Sequence, residues 1–179
     1  METLENIRTR RSIRKFTSEK VSHDTLEKIV EAASFSPSWK NTQIVRYIAI
    51  EDAALKDKIA NECTTGFTYN AGTMKSAPML IAVTVLKNRC GYERDGSFTT
   101  SRGDTWQMFD AGIASQTFCL AAHEYGLGTV IMGIFDDSLS DVLEIPEDRE
   151  LVNIICIGHP DESPEMPKRK SVSDLLTIK

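Results

Sequence analysis

The 179-residue chain predicts one domain of mixed class, α+β or α/β, on three observations. Pro78-Met79-Leu80-Ile81-Ala82-Val83-Thr84-Val85-Leu86 is almost unbroken apolar sequence, the mark of a strand covered on both faces. Leu26, Ile29, Val30 and Ala33 recur at helical spacing, which predicts an amphipathic helix. Around them, helical patterns alternate with four strand-like runs, and no repeat or low-complexity tract interrupts the series. A domain of this length buries about 70% of the surface that its unfolded chain exposes.

In chain order, Thr3 is placed to cap a short first helix with Leu4 and Ile7 on one face. Ser22 caps the next helix, which stops at Phe35-Ser36-Pro37-Ser38 because Pro37 forces the residue before it out of helical geometry. Ser38-Trp39-Lys40-Asn41-Thr42 reads as loop. Gln43 to Ile50 is rich in β-formers and reads as a strand. Asp52 to Cys63 reads as a helix with Leu55, Ile59 and Ala60 inward, and Thr64 to Ser76 as a loop or loose helix. Residues 87–103 are polar and glycine-bearing, and are the expected mobile insertion.

Asp104 opens the longest helix, stopped by Gly126. Its Ala111, Ser115, Cys119 and Ala122 form a stripe of small side chains that lets another helix approach closely. That helix belongs to the same chain or to a second subunit; spacing alone does not separate the two. Gly128 to Gly133 and Leu151 to Ile157 are apolar strands. A short helix at Ser138 to Leu143 lies between them, with Asp136-Asp137 read as its cap. Over 160–179, Pro160, Pro164 and Pro167 stiffen an arm ending in Val172, Leu175, Leu176 and Ile178, long enough to reach another subunit.

Composition narrows the function. A net charge of −5 argues against a general nucleic-acid binder, which needs a basic footprint. No apolar stretch approaches the length of a membrane span, and the first residues show no signal-peptide pattern. Cys63, Cys90, Cys119 and Cys156 form neither a CxxC nor a disulfide framework, so reduced thiols in a cytoplasm is the simplest account. His23, His123 and His159 lack metal-ligand spacing, and no metal site is expected.

Against that acidic background, Arg10-Arg11-Ser12-Ile13-Arg14-Lys15-Phe16 gathers four cations and a hydroxyl. Ile13 and Phe16 give the run an apolar side that can be anchored in a core while guanidinium groups face outward. Arginine forks match phosphate bidentately, so a terminal phosphate is a natural guest. The plainer account is a basic helix end balanced by surface carboxylates.

No P-loop pattern occurs, Gly126-x-Gly128 follows a helix rather than a strand, and no GxSxG elbow is present. No nucleophile or general base presents itself, and an enzyme built this way needs a cofactor to carry the reaction.

Four stretches taken in register resemble the FMN-dependent nitroreductase family. They are the Arg10–Phe16 run, Pro37-Ser38-x-x-Asn41-x-Gln43, Asp110-Ala111-Gly112-Ile113-Ala114, and Leu120-Ala121-Ala122 with Gly126-Leu127-Gly128. The resemblance runs from about residue 4 to Lys168-Arg169-Lys170. It implies an α+β fold with a mixed, mostly antiparallel sheet flanked by helices, in an intertwined homodimer that shares the flavin site. It also tilts the small-residue stripe toward packing between subunits.

The resemblance further implies site residues. Arg10, Ser12 and Arg14, helped by Arg11, would grip the ribityl phosphate. Arg169, with Lys168 and Lys170 as alternatives, would close over it. Pro37, Ser38, Trp39 and Asn41 would reach the flavin from the partner subunit. Asn70 would set an amide against the pyrimidine edge of the ring, although it could equally cap its own segment. Ile131, Met132 and Gly133 end a strand whose backbone approaches the ring, yet Met132 at such a place is ordinarily core. Trp39 and Lys40 would line the substrate pocket. Trp39 replaces a residue that is often smaller in the family, and Ile44-Val45 follows Gln43 where Pro-Trp is common.

The implied activity is an NAD(P)H oxidoreductase with bound FMN, working by a ping-pong cycle on small flat acceptors, nitroaromatics or quinones. Two alternatives stand beside it. One is a flavin-binding or sensing module without turnover. The other is a branch acting on a different substrate, by dehalogenation or flavin modification.

Overall fold

Ser22 does what its position predicts: its side chain accepts the Thr25 N–H and opens helix α2, His23–Ser34. Asp52 does the same through Leu55 for α3, Ala53–Glu62. A computed structural model describes residues 1–179. It also contains α1 (Thr3–Thr9), α4 (Thr68–Ser76), α5 (Thr105–Glu124), α6 (Ser138–Val142) and α7 (Val172–Leu175). The strands are β1 (Val45–Ile50), β2 (Met79–Leu86), β3 (Gly128–Met132) and β4 (Arg149–Gly158).

The strands form one four-stranded sheet in the order β1-β2-β4-β3, with every pairing antiparallel. Its mixed character comes from a parallel bridge between Ser12 and Thr129 at the β3 edge. The outer edge of β1 has no strand beside it in the chain. β2 is interior, and Met79 to Val85 are all buried, as continuous apolar sequence predicts. Side chains then alternate between faces. Leu80, Ala82, Ile154 and Cys156 join the core under α3, α4 and α6. Met79, Ile81, Val83, Ile155 and Ile157 join the core under α2 and α5. No helix is long and apolar enough to cross a membrane.

Several expectations need correction. Ala111, Ser115, Cys119 and Ala122 are buried inside the chain, against its own sheet and α2. Small side chains let α5 sit close on strands crowded with branched residues, and Ser115 Oγ accepts from Asn153 Nδ2 at 3.1 Å. The outward face of α5 carries the exposed Met108 and Phe109 instead. Helix α1 has Glu2 rather than Thr3 at its N-cap position, with no side-chain capping bond, and it buries Asn6 while Leu4 and Ile7 point to solvent. Asp136 does not cap α6; its carboxylate accepts the Thr65 N–H at 2.9 Å. Thr64 to Ser76 resolves into a turn and the helix α4. In the arm, a Ser171–Asp174 capping box closes the single turn of α7.

The insertion 87–103 is tied to the body near both ends. Asn88 N–H donates to Gln107 Oε1 at 2.9 Å, and Thr100 Oγ1 accepts from Trp106 Nε1 at 2.9 Å.

Candidate functional site

The Arg run is placed by its apolar side. After α1 the backbone turns extended at Arg10, and Ile13 N–H donates to Thr129 O at 3.0 Å. Ile13 and Phe16 are buried, as their spacing implies. They lie against Gly128 and Gly158, which pair across β3 and β4. A methyl group on Gly128 would stand 2.7 Å from the Ile13 side chain. One on Gly158 would stand 2.5 Å from the Pro78 ring and 3.0 Å from the Phe16 ring. The two glycines leave the room in which the run beds down.

The other flank of the run is a short ribbon. Thr17 N–H donates to His159 O and Asp161 N–H to Lys15 O, both at 2.9 Å. Glu162 Oε1 then accepts the backbone N–H groups of Arg14 and Lys15. Helix α1 docks on the end of α5 through Asn6 Nδ2, which donates to Leu120 O at 3.1 Å and Glu124 Oε2 at 3.2 Å. Thr9 Oγ1 meets His123 Nε2 at 3.0 Å. Burial, and then the Arg10 charge, hold the His123 imidazole below its usual pKa.

The cations themselves are left free. Arg11 Nη1 donates to the carbonyls of Arg8 at 2.7 Å and Arg10 at 2.8 Å, and Arg14 Nη1 to Ser12 O at 3.2 Å. No carboxylate oxygen comes within 4.0 Å of the Arg10, Arg11, Arg14 or Lys15 side-chain nitrogens. Arg10 Nε is buried without any partner. A buried guanidinium donor with nothing to bond is costly, and an anion at that point would satisfy it. The plainer account of the run, cations balanced by surface carboxylates, does not describe this arrangement.

Two more predicted elements adjoin the run. Ser76 Oγ, at the end of α4, donates to Arg14 O at 3.3 Å. That helix buries Asn70, and its cap is Phe67, so Asn70 is not spent on capping. β3 starts beside Ser12, which bridges Thr129, and runs on to Met132. Its Met132 side chain is core, touching Cys156 Sγ at 3.8 Å, so only its backbone can face a ligand. Ile131 points outward, and Gly133 has open space where a Cβ would stand.

The remaining predicted residues lie elsewhere. Trp39, Lys40 and Asn41 form a 3-10 turn anchored on Asp110, ten residues along α5 from Leu120 and so about 15 Å along its axis. Trp39 packs on Trp106 with ring centroids 4.8 Å apart. Lys40 Nζ pairs with Glu93 Oε1 at 3.0 Å, and Ser38 Oγ accepts the Gln43 N–H at 3.1 Å. Pro37 and Ser38 line a cavity of about 640 Å³ between α2 and β1, with Val30, Ile44 and Tyr47. Lys168 and Arg169 are exposed on the arm. One subunit therefore sets Ser76 of α4 and Thr129 of β3 against the Arg run, and holds the Pro37–Asn41 loop well along α5 from it.

Sequence reasoning missed the Gly128–Gly158 pair and Glu162, because both depend on strand register rather than local pattern. The Ser12–Thr129 and Phe16–Pro160 bridges create that register. His123 was visible only as a histidine without metal spacing.

The Nitroreductase family model matches residues 7–159. The FMN reductase [NAD(P)H] of Bacillus subtilis is 31% identical over 178 residues, covering 93% of this chain and 70% of that protein. The NADPH-flavin oxidoreductase of Vibrio harveyi is 28% identical over 176 residues, covering 93% of this chain and 69% of its own. Among solved structures, the FMN-dependent nitroreductase of Clostridium difficile superposes with a TM-score of 0.71 at 28% identity. That match spans 96% of this chain and 94% of the other. The bridged Arg run, the four-stranded sheet and these matches agree: this chain belongs to the nitroreductase family.

Proposed function

We propose that this chain is an FMN-dependent NAD(P)H oxidoreductase. One observation carries the reading: four cations free of carboxylate partners, with Arg10 Nε buried and unbonded, on an extended backbone bridged to β3. The family match and the flavin named in the relatives' activities support it. FMN, when bound, supplies the hydride chemistry that no side chain here provides.

The residues supply binding, orientation and exclusion of water. Arg10, Ser12 and Arg14 hold the phosphate, while Arg11 braces the backbone that presents them. Asn70 would offer an amide to the pyrimidine edge, and the Ile131-Met132-Gly133 backbone would face the ring. Fixed donors at an edge where negative charge develops favour reduction. NAD(P)H and a flat acceptor, a nitroaromatic or a quinone, would take the same face in turn.

The working unit is a homodimer, and three features support this. The β1 edge is open beside the cavity lined by α2 and β1. The arm shows Val172, Leu175, Leu176 and Ile178 to solvent, and α5 shows Met108 and Phe109. The Pro37–Asn41 loop stands well along α5 from the Arg run, and in this reading it serves the partner's site. The partner's arm brings Arg169 or Lys168 over the phosphate and lays its apolar residues in the trough. Buried free thiols suit a cytoplasmic setting.

The test is spectroscopic. The purified protein should show a flavin spectrum, bleach under NAD(P)H without oxygen, and recover its colour on adding a nitroaromatic. A coloured protein that NAD(P)H leaves unbleached would be a binding module, and a protein that stays colourless with added FMN would end the reading.

A further inference from the structure

Asp110 is a buried carboxylate to which the reading above gives no task. It is 3% exposed, and no Lys, Arg or His nitrogen lies within 4.0 Å of it. An ionised carboxylate so placed is costly unless hydrogen bonds replace its lost water. Its donors come from two segments far apart in sequence. The Trp39 N–H reaches Oδ1 at 3.2 Å and Oδ2 at 3.0 Å, and the Cys90 thiol donates to Oδ2 at 3.2 Å. Burial, with the carboxylate beside it, pushes the Cys90 pKa up to about 12, so the thiol keeps its proton and remains a donor.

The segment that Asp110 holds is strained. Lys40, Asn41 and Gln43 have φ of 45°, 55° and 48°, and none is glycine. Such backbone persists only where its surroundings over-determine it. Thr42 N–H closes on Trp39 O at 2.8 Å, Trp106 packs on the indole, and Glu93 takes Lys40. Glu93 and Cys90 both belong to the insertion 87–103. One buried carboxylate therefore ties the strained loop to the insertion.

We infer that Asp110 is a positioning residue for acceptor selection: it locks the Trp39-Lys40-Asn41 loop and the 87–103 insertion in one register, so that the Trp39 indole presents a fixed wall to a flat acceptor. This rests on the reading of Trp39 as a pocket wall. Asp110 acts through the Trp39 backbone, and its effect falls on recognition rather than on the electron transfer itself.

The experiment compares wild type with Asp110→Asn as full-length, FMN-loaded protein. Asparagine keeps the volume but offers one acceptor, and turns a donor toward the Trp39 N–H. Losing a hydrogen bond to a charged group should raise KM for a nitroaromatic about tenfold. Turnover with ferricyanide, which needs no flat wall, and FMN content should stay level. Tryptophan emission should shift, and amide hydrogen exchange across 38–43 should quicken. Unchanged nitroaromatic KM and unchanged exchange would overturn the inference, and so would an equal fall with both oxidants together with flavin loss. Cys90→Ala removes one donor only, and should move KM and exchange the same way, by about two- to threefold. If Asp110→Asn fails to fold, that variant decides, and unaltered values overturn the proposal. A wild type without flavin would refute the oxidoreductase reading, while exchange and emission would still test the anchor.

Discussion

Arg10 concentrates the chemistry of the site in one side chain. Its Nε is buried without a partner, and no carboxylate oxygen lies within 4.0 Å of its guanidinium. Replacing it with alanine should weaken FMN binding about 10- to 100-fold, the loss of charge-assisted hydrogen bonds to a phosphate. Arg10→Lys should recover only part of this, since an ammonium cannot fork. Titration of the apoprotein with FMN measures both.

His123 adds a pH dependence to the same corner. Burial first, and Arg10 second, lower its pKa from 6.5. Its folded value lies below its unfolded value, so at acid pH the unfolded chain binds the extra proton. Stability is therefore complete above about pH 6.5 and lost as pH falls through the folded pKa. Melting temperature recorded from neutral pH downward should show that decline, and His123→Gln, which keeps a polar group for Thr9, should flatten it.

At the scale of elements, the paired glycines explain why the Arg run lies where it does. Gly158→Ala puts a methyl group against Pro78 and Phe16. It should cost about 1–3 kcal/mol of stability as the crowded ring shifts. It should also weaken FMN binding, because Phe16 carries Arg14 and Lys15 with it. Gly133→Ala is the contrast, since nothing in the chain lies within 4 Å of the added atom. Stability should hold while FMN binding falls, the methyl group standing where the ring is proposed to lie. Urea unfolding and flavin titration of the two variants separate the effects.

The same elements show what a sequence can disclose. Ser22 announced its helix because capping is chemistry within four residues, while the matching cap at Asp52 showed only in the structure. β2 announced itself because burial on two faces leaves no polar alternation. Ile13 and Phe16 disclosed the buried side of the run. What stayed hidden depends on where distant segments meet. Glu162 closing on Arg14 was of that kind, and so was the inward facing of the small stripe on α5. Met132 is core, as its place suggested, because it faces inward while Ile131 beside it is exposed. For α7 the signal, Ser171 three residues before Asp174, was present among prolines that suggested only extended chain.

At the scale of the molecule, the arm leaves apolar side chains in water that the proposed homodimer would cover. Leu175 and Leu176 are 73% and 57% exposed at the end of the arm. Removing residues 171–179 should shift sedimentation toward single subunits and lower flavin retention together. A truncated protein that still sediments as a full dimer, with its flavin, would contradict the shared site.

The unpaired flank of β1 has a further consequence. In the proposed dimer, a nascent subunit that has yet to meet its twin would show bare amides next to an oily trough, which invites clumping with any other half-made chain. Slow, cool expression should raise soluble yield by giving each copy time to find its mate.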